Sequence, residues 1–209
     1  MDASTTRTDY HFATPVIRSL LPGADRLNAA LRSRILARRA EDPSGIARSN
    51  TGGWHSDTDM LAWAPSEAEA LFRSAIGLVG PVTADTHTPK REFGFHGEMW
   101  ANVSGPGHSN QTHCHTGALW SGVYYVDVGG EGAEGELVLE DPRFPANQMY
   151  MPGLVHRDDK GEPIRAQNAI RPVPGLLVLF PSWLRHSVRP YRGEGERISV
   201  ALNLMVIPG

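Results

Sequence analysis

The chain has 209 residues, of which 40% are hydrophobic, with a formal net charge of −3 and one cysteine. This length is enough to bury a sizeable core, and a single cysteine excludes an internal disulfide framework. The small net charge gives no electrostatic reason to expect a nucleic acid or an anionic membrane as partner. The polar first twelve residues and the lack of any apolar stretch near 18 residues favour a cytoplasmic protein.

The first third of the chain predicts one strand and two helices. Residues 14–22 are expected to add a strand to a sheet edge, and residues 24–40 are rich in Ala, Leu and Arg with apolar residues near helical spacing. Ser66, with Glu69 three residues later, predicts the N-cap of a second helix that reaches about Val79. The first helix also carries arginines at 32, 34, 38 and 39, which are typical of a solvated face because no aromatic residues interleave with them.

Residues 41–65 are predicted to form a long loop. Loops of this length in compact domains are often functional, so its Gly-Gly-Trp segment could cover the mouth of a site. Alternatively, Trp54 anchors the loop to the core. His55 is interpreted as an ordinary polar loop residue.

From residue 92 onward the pattern changes to short strands. Residues 98–103 alternate, which puts Trp100 and Asn102 on one face. In residues 111–126, His113 and His115 would project to the same side of an extended chain while Cys114 points away. Two imidazoles on one face are the beginning of a metal site.

Two later segments complete the pattern. Residues 174–190 contain an apolar strand that ends at Pro181, and His186 follows soon after. Residues 196–206 alternate strictly, with four aliphatic residues on one face. The opposite face either meets water or lines a cavity, and it carries Arg197, Ser199, Ala201 and Asn203.

Short strands joined by Gly and Pro turns after a helical region predict an α+β fold with a jelly-roll barrel or sandwich. We expect one domain over residues 1–209, with a helical extension and loop over 1–91 and the β core over 92–209. Histidine suits Fe(II), and the planar fork of Arg is the preferred clamp for a carboxylate.

Four motifs together closely resemble a group of small 2-oxoglutarate- and iron(II)-dependent oxygenases, related in layout to the prolyl 4-hydroxylases. They are His-x-His, Ser-Gly-Val-Tyr-Tyr-Val, Leu-Phe-Pro-Ser-Trp-Leu-x-His-x-Val and Arg-Ile-Ser-x-x-x-Asn. The resemblance implies a double-stranded β-helix that uses Fe(II), 2-oxoglutarate as co-substrate and molecular oxygen. It also implies hydroxylation of a C–H bond in an unidentified small-molecule or peptide substrate.

The same resemblance implies roles for individual residues. His113 and His186 match the first and last iron ligands, and His115 lies in the middle ligand position. The residues matched to 2-oxoglutarate binding are Arg197, Ser199, Tyr125 and Asn102, whereas Tyr124 is expected in the core. The loop around Trp54, together with Trp120, is a candidate to shape the substrate mouth, and exposed strand edges permit a homodimer.

The middle ligand position departs from the resemblance, because most members of the superfamily carry Asp or Glu where this chain has His115. A three-histidine iron site is chemically reasonable, since imidazole is a good Fe(II) ligand. Alternatively, Glu98, Asp127 or Asp141 completes the ligand set, or the site takes zinc or copper. A cupin-type dioxygenase without a keto acid and a non-catalytic metal-binding jelly roll are the two rival functions.

Overall fold

The computed structural model describes residues 8–86, 93–130, 134–149, 151 and 153–208. Within these residues the chain forms two antiparallel sheets and a few helices, which confirms the predicted α+β class. The predicted division between residues 91 and 92 lies outside the described residues.

The helices are α1 (Ala24–Glu41), α2 (Met60–Trp63) and α3 (Pro65–Val79). The strands are β1 (Ile17–Leu20), β2 (Asn50–Thr51), β3 (Trp54–His55), β4 (Phe93–Ser104), β5 (Ser109–His113), β6 (Trp120–Asp127), β7 (Leu137–Glu140), β8 (Gln167–Ile170), β9 (Leu176–Pro181), β10 (His186–Val188) and β11 (Arg197–Pro208). The predicted first strand and first helix therefore lie where the sequence indicates, with β1 at a sheet edge.

One sheet has six strands in the order β1-β9-β6-β11-β4-β3, and the other has five in the order β2-β5-β10-β7-β8. Sequence-distant strands are neighbours in both sheets, as expected of a double-stranded β-helix. The N-terminal third of the chain supplies strands to both sheets as well as the helices. No helix of the described residues is long and apolar enough to cross a membrane.

Helix α3 begins one residue before the predicted cap. Its N-cap position is Ala64, and Pro65 occupies the first helical turn, so Ser66 lies inside the helix and the predicted capping box is wrong. Proline is favoured at the first helical position because its φ suits the helix and its missing N–H needs no partner there.

The side chains of strand β11 point alternately to its two faces, and each face meets a different apolar core. Ile198, Val200, Leu202 and Leu204 face an outer core in which α1 and α3 cover the six-stranded sheet. Tyr124 also lies in this core, as predicted, and its hydroxyl donates to Asn28 Oδ1 at 2.7 Å. The opposite face of β11 points between the sheets, where a second, smaller core is built around Val178 and Phe180.

The predicted loop over residues 41–65 contains ordered elements instead. Strand β2 pairs with β5 in the five-stranded sheet, and β3 pairs with β4 in the six-stranded sheet, so this segment bridges the two. Trp54 is buried, and its indole Nε1–H donates to the Asp42 carbonyl at 2.7 Å. Trp54 is therefore an anchor for the segment.

Packing of α3 onto the sheet predicts a large stability cost for truncation there. Leu71 is fully buried in the outer core, so we expect Leu71→Ala to lower the free energy of unfolding by about 2–5 kcal/mol through lost burial and a residual cavity. Leu154→Ala, at a leucine that is 69% exposed, is the matched control and should change it by less than about 0.5 kcal/mol. Urea unfolding monitored by circular dichroism measures both. Equal losses in the two variants would contradict this packing.

Candidate active site

Three histidines meet because two short strands pair in a particular register. His113, the last residue of β5, lies directly opposite His186, the first residue of β10. His115 follows two residues after β5 ends, and its backbone N–H donates to the Ser182 carbonyl at 2.9 Å. That bond ties the segment carrying His115 to the turn that leads into β10.

The three imidazoles have the arrangement of a metal-binding group. Their ring centroids lie 4.3 Å apart for His113 and His186, 5.0 Å for His113 and His115, and 5.2 Å for His115 and His186. One nitrogen from each ring lies within 4.8 Å of the others. This spacing suits three nitrogen ligands on a single cation.

Backbone carbonyls orient two of the rings. His113 Nδ1 lies 2.7 Å from the Gln111 carbonyl, and His186 Nδ1 lies 2.9 Å from the Leu184 carbonyl. A carbonyl only accepts, so each Nδ1 carries the proton and each Nε2 keeps its lone pair for a metal.

His115 has a different partner, the side-chain amide of Asn203. His115 Nδ1 lies 3.3 Å from the Asn203 amide nitrogen, and the Ser121 hydroxyl donates to Asn203 Oδ1 at 2.8 Å. Rotating the amide by 180° exchanges its oxygen and nitrogen, and the two cannot be told apart by shape. With the oxygen facing His115, Nδ1–H donates to it and Nε2 is free for a metal, as in the other two rings. The orientation of the Asn203 amide thus decides the tautomer of His115: its oxygen at Nδ1 leaves Nε2 free for a metal, whereas its nitrogen there would donate to Nδ1 instead.

Burial and the neighbouring His113 ring favour the neutral forms of His115 and His186. Burial is the main cause that lowers the pKa of His186 to about 3, and the neighbouring His113 adds to the effect. Burial, then His113 and then Arg48 lower the pKa of His115 to about 4. Neutral imidazoles are the form that binds metal ions.

None of the predicted alternative carboxylates joins this group within the described part of the chain. Glu98 is exposed on β4. Asp127 accepts from the Gly129 backbone N–H and pairs with Arg32, and Asp141 is held by Arg143. The donor set that the structure assembles is therefore three nitrogens.

A cavity of about 280 Å³ extends from the histidines between the two sheets. Its wall includes every residue predicted to bind the metal or 2-oxoglutarate, and no Asp or Glu of the described residues lines it. Arg197 is 2% exposed and places its guanidinium 5.3 Å from the centre of the Tyr125 ring. Among the described residues, neither Arg197 Nε nor the Tyr125 hydroxyl has a hydrogen-bond partner.

A polar row crosses the six-stranded sheet beside Arg197. Ser199 lies opposite Tyr125 on one side and Asn102 on the other, and Asn102 in turn lies opposite His55. All four side chains line the cavity. Burial raises the pKa of the Tyr125 hydroxyl, which therefore stays protonated and can donate a hydrogen bond.

Two interpretations of single residues are wrong. His55 is not an ordinary loop residue: it is 3% exposed, its ring stacks on Trp100 at 5.7 Å, and it lines the cavity. Trp120 does not shape the mouth, because it is buried in the outer core and donates to Thr83 Oγ1 at 3.0 Å. A two-residue strand has too little length for a periodic signal, so sequence pattern could not place His55.

Fold and site together define a jelly-roll protein in which three histidines that could hold a metal ion share a cavity with a buried arginine. A family model described as "Putative 2OG-Fe(II) oxygenase" matches residues 98–203, just over half of the chain. The chain belongs to this family, whose members use Fe(II), 2-oxoglutarate and molecular oxygen. A comparison with curated proteins found no match.

Solved structures share the fold at low sequence identity. A prolyl-4-hydroxylase from Pseudomonas putida matches with a TM-score of 0.58 and 18% identity over 92% of both chains. HygX from Streptomyces hygroscopicus, with nickel and 2-oxoglutarate bound, matches with a TM-score of 0.58 and 14% identity over 92% of this chain and 83% of its own. A prolyl hydroxylase from Trichoplax adhaerens, in complex with a hypoxia inducible factor peptide fragment, gives the same TM-score, identity and coverage. At these identities the likeness shows the double-stranded β-helix fold.

The residues that line the cavity fit both Fe(II) and 2-oxoglutarate, the metal and the co-substrate that the family uses. Three imidazoles, two of which have their Nδ1 atoms committed to carbonyls, are suitable ligands for Fe(II). A buried guanidinium with an unpartnered Nε, beside an unpartnered hydroxyl, calls for an anion that accepts hydrogen bonds. The far carboxylate of 2-oxoglutarate meets that need.

The lowered histidine pKa values predict a pH-dependent stability of the metal-free protein. In the unfolded chain both His115 and His186 take up protons below about pH 6.5, whereas in the folded chain they do so only near pH 4 and pH 3. The unfolded state therefore binds more protons in between, and the free energy of unfolding falls as the pH is lowered from 7 to 5. His186→Asn should flatten this fall, and His96→Asn, at an exposed histidine on β4, should not. Urea unfolding at several pH values, with chelator present, measures it. A fall that His186→Asn leaves unchanged would contradict the assignment.

Loss of the Asn203 amide should weaken metal binding without unfolding the protein. Asn203→Leu keeps the side-chain volume but removes the group that holds His115, so we expect a loss of about 10- to 100-fold in Fe(II) affinity. Asn203→Asp supplies an acceptor for the same Nδ1–H and should retain most of the affinity. Asn168→Leu, at an exposed position on β8, is the matched control. Anaerobic calorimetry measures the affinities, and unchanged binding in Asn203→Leu would refute this role.

Proposed function

We propose that the protein is a 2-oxoglutarate- and Fe(II)-dependent hydroxylase in which His113, His115 and His186 hold the metal and Arg197 anchors the co-substrate. The single observation that carries this proposal is the cavity itself, which joins three imidazoles to a buried guanidinium with no counter-charge among the described residues of its wall. Metal ligands alone would also suit other metalloenzymes. The buried Arg197 distinguishes a site that must receive an anion.

The positive charge of Arg197 is the feature of the cavity that most requires a bound anion. A buried ion that lacks a partner is costly, and Arg does not lose its proton in proteins. Its planar fork binds a carboxylate through two parallel hydrogen bonds. A keto-acid-independent dioxygenase would have no use for such a group at this depth, so the structure favours the keto-acid enzyme.

Other residues of the polar row would complete the co-substrate site. The Ser199 hydroxyl and the protonated Tyr125 hydroxyl lie on neighbouring strands beside Arg197 and can both donate to the same carboxylate. Asn102, on the other side of Ser199, is suited to hold the keto-acid end, as the resemblance implies. The cavity is small, about 280 Å³, so one small ligand can contact all of these side chains.

The overall reaction converts a C–H bond, 2-oxoglutarate and O2 into an alcohol, succinate and CO2. Bound Fe(II) supplies the activation of oxygen that couples decarboxylation of the keto acid to hydroxylation. The protein's own part is to fix the co-substrate by its far carboxylate, to hold the histidine nitrogens unprotonated and to exclude water. Trp100 and Phe180 contribute to that exclusion, since they pack against His115 and His186 with ring centroids at 5.7 Å and 4.7 Å.

Replacing Arg197 tests this proposal. In the anaerobic Fe(II) protein we expect a weak visible charge-transfer band on addition of 2-oxoglutarate. Arg197→Gln should raise the 2-oxoglutarate concentration for half-saturation by at least about 30-fold, because a buried charged hydrogen-bonded pair is worth about 2–5 kcal/mol. Arg197→Lys keeps the charge but not the fork, and should give an intermediate loss.

Arg73→Gln, at an exposed arginine of α3, is the matched control and should titrate like the wild type. Fe(II) affinity should be unaffected in all three variants, because Arg197 is not one of the metal-binding histidines. Tight 2-oxoglutarate binding by Arg197→Gln would remove the basis of the proposed function. A cytoplasmic location and a homodimer stay predictions.

A further inference from the structure

A second arginine, Arg48, lines the same cavity. It lies just before β2, at the edge of the five-stranded sheet, whereas Arg197 lies in the six-stranded sheet. Its segment is fixed at two points: the Arg48 backbone N–H donates to Asn50 Oδ1 at 2.8 Å, and the Ser49 carbonyl accepts from the Gln111 N–H at 2.9 Å. Gln111 is two residues before His113, so this second bond holds Arg48 beside the histidines. The guanidinium therefore belongs to a structured wall of the cavity.

Arg48 has no ion-pair partner among the described residues. Nine other arginines, all outside the cavity wall, pair with a carboxylate: Arg32, Arg34, Arg38, Arg39, Arg73, Arg143, Arg185, Arg189 and Arg192. Arg48 is exposed, whereas Arg197 is buried, so one cation lies at the mouth of the cavity and one at its floor. The positive charge of Arg48 also reaches His55, where it adds to the burial that lowers the pKa of that ring.

When Fe(II) and 2-oxoglutarate are bound as in the proposed function, no charge in the site compensates the positive charge of Arg48. The two negative charges of 2-oxoglutarate offset the two positive charges of Fe(II), and the three imidazoles are neutral. No carboxylate of the described residues lines the cavity. The far carboxylate of 2-oxoglutarate pairs with Arg197, so Arg48 is the guanidinium left without a counter-charge. Part of the net positive charge of the site arises because His115, a neutral ligand, stands where most members of the superfamily carry Asp or Glu.

We infer that the primary substrate is an anion, and that its carboxylate or phosphate group binds Arg48 at the mouth of the cavity. Guanidinium groups bind both of these anions through paired hydrogen bonds. The stacked rings of His55 and Trp100 line the same cavity from the six-stranded sheet and offer a flat surface to the rest of the substrate. Arg48 is thus a specificity-determining residue, and this inference rests on the proposed function.

Matched anionic and neutral probes test the inference on the anaerobic Fe(II) protein saturated with 2-oxoglutarate. The pairs are propionate with propionamide, benzoate with benzamide, and phenyl phosphate with phenol, and ligand-observed NMR gives the dissociation constants. We expect at least one anion to bind about tenfold more tightly than its neutral partner, and Arg48→Gln to remove about fivefold to tenfold of that preference. The carboxylate and phosphate pairs show which group is preferred.

Arg18→Gln provides the matched control, because Arg18 is an exposed arginine of β1 outside the cavity wall. It should keep the full preference for the anion. Equal binding of both members of every pair, no binding of any anion, or an Arg48→Gln variant that behaves like the wild type would overturn the inference.

The charge-transfer band of 2-oxoglutarate, recorded in the same samples, separates this inference from the proposed function. If the wild type shows the band but no preference for anions, only the inference fails. If the wild type shows no band, the proposed function fails. If Arg48→Gln weakens 2-oxoglutarate binding as much as Arg197→Gln does, Arg48 is a ligand of the co-substrate and the inference is wrong.

Discussion

The register between β5 and β10 is the constraint on which the site depends. It places His113 opposite His186 across one pair of hydrogen-bonded strands, although more than seventy residues separate them in the chain. A slip of one residue would turn every side chain of β10 to the other face and separate the rings. The same strand β10 also pairs with β7, whose leucines lie in the core between the sheets, so apolar burial holds the register.

A second constraint is the burial of Arg197 without a carboxylate in the surrounding wall. Its strand β11 is central in the six-stranded sheet and 12 residues long, so four aliphatic residues on its outer face hold Arg197 and Ser199 in place from behind. The stability of the fold thus offsets the cost of a desolvated charge. Because the charge cannot relax into solvent, the subsite is prepared for an anion, which reduces the cost of ordering the site when the co-substrate binds.

The parts of the structure that follow from local periodicity could be predicted from the sequence. The two-residue alternation of β11 separates core residues from cavity residues, and that pattern needs no tertiary information. The convergence of His113 with His186 is a long-range property, and the resemblance supplied it. His55 was missed as a site residue because it lies in a two-residue strand within an irregular segment. Asn203 was placed on the correct face of β11, but its partner His115 could not be predicted because the contact spans 88 residues.

The central claim is that the three histidines and Arg197 receive one metal and one keto acid within a single cavity. A crystal structure of the protein grown anaerobically with Fe(II) and 2-oxoglutarate tests it most directly. We expect the metal to be bound by the Nε2 atoms of His113, His115 and His186, with the far carboxylate of 2-oxoglutarate on Arg197. A metal held elsewhere, a protein carboxylate among its ligands, or a keto acid bound away from Arg197 would contradict the account.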